Sequence, residues 1–142
     1  MINVIVASHG PMAKAMLESA SMVYGELPYC FAVTLTGEAG IEGFRQDFAD
    51  VLAMASKDAD GVLVLCDMQS GTPWNVACQS AFSAKTVPPV AVLGGINFPM
   101  LLQTDDIHEF TDVNAAARQL LALTQPTLVL AAPAASEQSD DF

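Results

Sequence analysis

Two hydrophobic periods take turns along the chain. Asn3–Ala7 is a short, mostly apolar run and predicts a first strand. Pro11–Tyr24 follows with Met12, Met16, Ala20 and Val23 at helical spacing, and Gly25 suits the position just past a helix end. Tyr29–Leu35 reads as a second strand. Ile41, Phe44, Phe48, Val51, Leu52 and Ala55 then form an apolar stripe at the period of a second helix. After the Asp60-Gly61 turn, Val62–Cys66 is apolar at every position, the pattern of a strand covered on both faces. Pro73–Ala84 predicts a third helix, Pro89–Leu93 a fourth strand and Pro99–Gln103 a short helix. Thr111 is placed to cap a last helix, Asp112–Thr124, whose inner face would be Val113, Ala116, Ala117, Leu120 and Leu121. Thr127–Ala131 predicts a fifth strand.

Strands alternating with helices predict an α/β fold with a mainly parallel sheet, doubly wound by right-handed crossovers. The 142 residues suit one domain with a sizeable core, expected over 1–131, and no internal repeat is evident. Residues 132–142, rich in Ala, Ser and Asp, read as a flexible acidic tail or the start of a linker.

Composition narrows the function. Sixteen acidic residues against five basic ones argue against nucleic acid and anionic membranes, whose phosphates need a basic footprint. The negative field either serves solubility alone or steers basic partners. The apolar runs are strand-length, far short of a membrane span, and no basic stretch leads an apolar one at the N-terminus as in a signal peptide. Cys30, Cys66 and Cys78 are odd in number and form no CxxC, which fits a reducing cytoplasm. Two histidines without a Cys/His cluster argue against a metal site.

In a doubly wound sheet the site lies beyond the carboxyl ends of the strands, where strand order reverses. Strand 1 leads into Ser8-His9-Gly10-Pro11, strand 3 into Asp67-Met68-Gln69-Ser70-Gly71-Thr72-Pro73, and strand 4 into Gly94-Gly95-Ile96-Asn97-Phe98-Pro99. Pro11, Pro73 and Pro99 each suit the first position of a helix, where the missing N–H costs nothing. Three helix N-termini, with Gly10, Gly71, Gly94 and Gly95 allowing close approach, would form a cradle for an oxyanion or phosphoryl group. If strands 1 and 3 are neighbours, His9 meets Asp67, and a carboxylate on one ring nitrogen frees the other as nucleophile. His9 could instead be a satisfied core histidine, and Asp67 a cap. Thr72 can cap its helix or hold a phosphoryl oxygen, and Ser70 has the same choice. His108, within an acidic stretch, reads as solvated surface. Met12, Met68, Trp74, Phe98 and Met100 surround these loops; at least two are expected in the core, the others forming an adaptable docking rim.

Several chemistries drop out. None of the three loops holds the arginine fork that captures free phosphomonoesters. No GxxxxGK[ST] occurs, and no acidic pair follows strand 1. Ser70, His9 and Asp67 contain the residues of a hydrolytic triad, but "MQSGT" lacks the GxSxG elbow. A non-catalytic acidic module, with His9 structural, is the other rival. A histidine that takes a phosphoryl group from one protein and passes it to another fits best.

"VIVASHG", "GVLVLCDMQSGTPWNVA" and "GGINFPMLLQT" together resemble the IIA domain of the mannose-type sugar phosphotransferase system (PTS), over about the whole globular part. The resemblance implies a sheet of order 2-1-3-4, with Thr127–Ala131 an antiparallel fifth strand exchanged in a homodimer. It implies that His9 accepts a phosphoryl group from the histidine carrier HPr and donates it to a IIB component. Membrane IIC and IID components would be met only indirectly, and no cofactor is expected. Asp67 would orient His9, and Thr72 would bind the phosphoryl group with Gly71, Ser70 and Gly10 near it. The chain departs from many members in carrying "MQSG" where a tryptophan is frequent, and Pro11-Met12 after "HG". A related branch phosphorylates a dihydroxyacetone kinase instead of a transporter, and that is the alternative acceptor.

Overall fold

The structure, a computed structural model, describes residues 1–133. Its elements are β1 (Ile2–His9), α1 (Met12–Val23), β2 (Cys30–Leu35), α2 (Gly40–Ser56), β3 (Gly61–Cys66), α3 (Gly71–Ala81), β4 (Val90–Gly94), α4 (Phe98–Leu102) and α5 (Val113–Thr124). The four strands form one sheet in the order β2-β1-β3-β4, every neighbouring pair parallel. The chain leaves β1 in one direction and β3 in the other. Crossovers of one hand must then pass on opposite faces. Accordingly α1 packs on one face with α4 and α5, and α2 and α3 pack on the other. The switch point falls between β1 and β3.

Strand alternation sorts the core into two layers. Ile2, Val4, Val6, Leu63 and Leu65 face α1 and α5. Ile5, Ala7, Val62, Val64 and Cys66 face α2 and α3. β3 is buried at all six positions. Phe44 and Phe48 of α2 are almost fully buried, each worth about 1.5–3 kcal/mol. Asn3 is tolerated in β1 because its amide donates to Ala55 O at 2.8 Å.

The sequence pattern misplaces several residues. Ile41 and Leu121 are exposed, lying at the margins of their stripes. In α1 the inward residues are Ala13 and Ala20, while Met12 and Val23 are exposed. Asp112, not Thr111, caps α5, accepting from the N–H groups of Asn114 and Ala115. His108 is no solvated residue: its ring stacks on Tyr29 at 3.9 Å, and its Nδ1 bonds Ile2 O at 2.8 Å. Thr127–Ala131 is not part of the sheet. Gln125–Thr127 forms a 3-10 turn, and Leu128, Val129 and Leu130 stand exposed, a β-forming run that joins neither open edge of its own sheet, β2 or β4. Beyond its first two residues, the tail expected over 132–142 lies outside the described residues.

Candidate active site

β1 and β3 stop side by side. Ala7 pairs with Cys66, and the Asp67 N–H continues the ladder to Ala7 O at 3.1 Å. One residue further on, Asp67 Oδ2 accepts twice from His9: from the backbone N–H at 2.9 Å and from the ring at Nδ1, 2.7 Å. A carboxylate here accepts a hydrogen bond from Nδ1–H, so the tautomer is fixed and Nε2 carries the free lone pair. The Asp67 side chain is 8% exposed and that of His9 44%. The acid is therefore sunk in the sheet end while the imidazole stands half in solvent. Asp67 Oδ1 is buried with no hydrogen-bond partner among the described residues, so Oδ2 alone ties the carboxylate to the ring.

Nε2 faces the start of α3. A Cβ built on Gly71, whose φ is +83°, would stand 3.0 Å from both Nε2 and Cε1. Only glycine lets the helix begin this close to the ring. The residue before it, Ser70, has φ 120° and ψ 166°, a region almost reserved for glycine, and supplies no side-chain cap. Thr72, half-buried, occupies the second helical position, so its expected role as cap is corrected. The prolines are shifted too: Pro11 is the cap residue of α1, Pro99 the second residue of α4 and Pro73 the third of α3. All lie where the helix leaves N–H groups unpaired, so the tolerance for proline holds one to two residues away from the expected position.

Of the three N-termini expected to form a cradle, two have a first-turn N–H taken by a side chain of the protein itself. Ser8 Oγ accepts the Ala13 N–H of α1 at 2.8 Å, and Asn97 Oδ1 accepts the Met100 N–H of α4 at 2.9 Å. Gly10 is removed from the group of N–H donors because its N–H is spent on Leu35 O at 2.8 Å; its φ of +59° makes it a turn residue. Among the described residues only α3 presents an uncapped first turn to His9.

The rim shrinks likewise. Met100 is 2% exposed and belongs to the core, since the Asn97 cap turns α4 inward. Phe98 and Trp74 are half-buried against the two core layers, and a Cβ on Gly94 would stand 3.0 Å from the Trp74 ring. Met12 and Met68 remain exposed, at 46% and 48%. A cavity of about 440 Å³ between α3 and α5 and one of about 570 Å³ between α2 and α3 are lined by neither His9 nor Asp67. The His9 ring thus stands on an open surface. Burial pushes the thiols of Cys66, beneath the site, and Cys30 up to about 12, which keeps both protonated and unreactive. No hydrogen bond joins Ser70 to His9 among the described residues, so the contact a hydrolytic triad needs is not made.

The family model for the EIIA-man family, described as "PTS system fructose IIA component", matches residues 3–121. The sorbose-specific EIIA component of Klebsiella pneumoniae is 30% identical over 133 residues, 92% of each chain. The fructose-specific EIIA component of Bacillus subtilis is 29% identical over 125 residues, 88% of this chain and 83% of that one. The solved mannose/sorbose-specific IIA subunit from Enterococcus faecalis superposes with a TM-score of 0.79 at 30% identity, covering 96% of this chain and 98% of its own. With a match that spans both strand ends carrying His9 and Asp67, the chain belongs to the EIIA-man family and is an EIIA phosphotransferase component of the PTS.

Proposed function

We propose that this chain carries the phosphoryl group on His9 Nε2, taking it from HPr and passing it to a IIB component. The observation that carries the reading is the 2.7 Å bond from Nδ1 to Asp67, which leaves Nε2 free against an uncapped helix end. The Nε2 lone pair attacks the phosphorus of the donor's phosphohistidine. The donor P–N bond breaks, and its electron pair returns to the donor ring. The new phosphoimidazole keeps its Nδ1 proton, and Asp67 balances the positive charge that builds on the ring. The phosphoryl oxygens settle against the first turn of α3, where the Gly71 and Thr72 N–H groups and the Thr72 and Ser70 hydroxyls are available. A helix N-terminus offers an anion about 0.3–1 kcal/mol, more where water is excluded.

An acceptor on an open surface suits a donor that is itself a protein, and Met12 and Met68 give that visitor apolar ground beside the ring. The relatives are sorbose-specific and fructose-specific components, which supports a transporter as the final acceptor over a dihydroxyacetone kinase. IIC and IID would then be served only through IIB, from the cytoplasm. The domain runs over 1–131 and ends in Thr127–Ala131. Exposed apolar residues there and the unpaired outer edge of β4 would both be covered if two copies exchange this strand.

The test is labelling from radioactive phosphoenolpyruvate with Enzyme I and HPr. The label should be lost in acid and kept in base, as a phosphoramidate is, and His9→Ala should abolish it. Label that survives acid in full, or that His9→Ala retains, would overturn the reading.

A further inference from the structure

Ser8 is a polar residue, 1% exposed, directly before His9. Alternation along β1 sends its side chain to the α1 face with Val4 and Val6, while His9 turns to the α3 face. Its hydroxyl works in both directions: it accepts the Ala13 N–H at 2.8 Å and donates to Gly10 O at 3.1 Å. The second bond bridges the residues on either side of His9. The His9 N–H is fixed to Asp67, and the Gly10 N–H to Leu35 O. We infer that Ser8 is a positioning residue for phosphoryl transfer, locking the turn that carries His9 so that Nε2 stays set against the end of α3.

A serine that merely caps a helix sits at the cap position itself, one residue before the first turn. Here that position is Pro11, and the hydroxyl comes from three residues earlier, inside the strand. The bond therefore couples the start of α1 to the end of β1, with His9 and Gly10 between the two anchors. Removing it frees the turn at the point where the imidazole attaches. In-line transfer needs donor phosphorus, Nε2 and the receiving N–H groups aligned, and a displacement of about 1 Å can cost up to a hundredfold in rate. The inference rests on the reading of His9 as phosphoryl acceptor.

Single-turnover transfer from phosphorylated HPr tests it. Ser8→Ala should slow transfer at saturating donor by about tenfold or more, with the half-saturating donor concentration little changed. The His9 ring nitrogens, followed by NMR, should lose the clean Nδ1–H pattern. Ser8→Thr, which keeps the hydroxyl, should restore both. Asp112→Ala removes the cap of α5, a comparable bond away from the site, and should leave the transfer rate unchanged. If Ser8→Ala does not fold, Ser8→Cys, with a weaker acceptor in the same place, carries the same test. The inference is overturned if Ser8→Ala transfers at the parent rate with unaltered His9 signals. It is equally overturned if Asp112→Ala slows transfer as much, or if only donor affinity falls. Labelling of His9→Ala would instead defeat the acceptor reading; an unlabelled His9→Ala beside a fully active Ser8→Ala defeats this inference alone.

Discussion

The helices that start nearest His9, α1 and α3, begin in opposite ways. Each opens at the carboxyl edge of the sheet, on opposite faces, and each has a proline in its opening turn. The α1 end is tied to the sheet: the buried Ser8 hydroxyl takes its Ala13 N–H. The α3 end is open: Ser70 gives no cap, and Gly71 brings the turn within a methyl's width of Nε2. Unpaired N–H groups at a helix start either find an acceptor within the chain or wait for an anion from outside. On the proposed reading, the first supports the turn that carries His9 and the second receives the phosphoryl group.

Closing the open end should do the most damage. Gly71→Ala puts a methyl 3.0 Å from Nε2 at a φ that disfavours any side chain, and labelling by phosphorylated HPr should fall about a hundredfold. Making α3 resemble α1 should come next. Ser70→Asp places a carboxylate where the phosphoryl oxygens gather, and the initial rate of labelling should drop about tenfold, easing as salt is raised. Ser70→Asn, uncharged and of the size of aspartate, also loses the hydroxyl but should slow labelling clearly less than Ser70→Asp; an equal loss would mean that charge at this end does not matter. The smallest effect is on stability. Ser70→Gly relieves a backbone held at φ 120°, and after the entropy cost of glycine should stabilise the fold by about 1 kcal/mol in urea melts, with labelling slowed only by the loss of one hydroxyl.

Much of the fold is legible in the sequence because it rests on hydrophobic periodicity. The unbroken Val62–Cys66 run belongs to an inner strand, and the loops at the carboxyl ends of the first and third strands bring His9 and Asp67 together at the switch point. The features that stay hidden depend on single hydrogen bonds. Ser8 looks like an ordinary polar residue at a strand end, since its partner is five residues on and outside the usual capping spacing. Met100 resembles a rim residue until the Asn97 cap turns α4 inward. His108 sits among Asp and Glu in sequence, yet its ring is recruited by Tyr29 and the Ile2 carbonyl. Residues 127–131 have a strand's composition, but composition does not name a partner, and within the chain the run joins neither open edge of the sheet.

With Asp67 holding one nitrogen of the His9 ring, the proposed carrier has a single berth for phosphorus. Giver and taker cannot dock together, so cargo must be unloaded before the next delivery, and arrival and departure use the same gangway. Traffic through such a carrier is a strict alternation, timed by how long each visitor lingers and not by any moving part of the carrier itself.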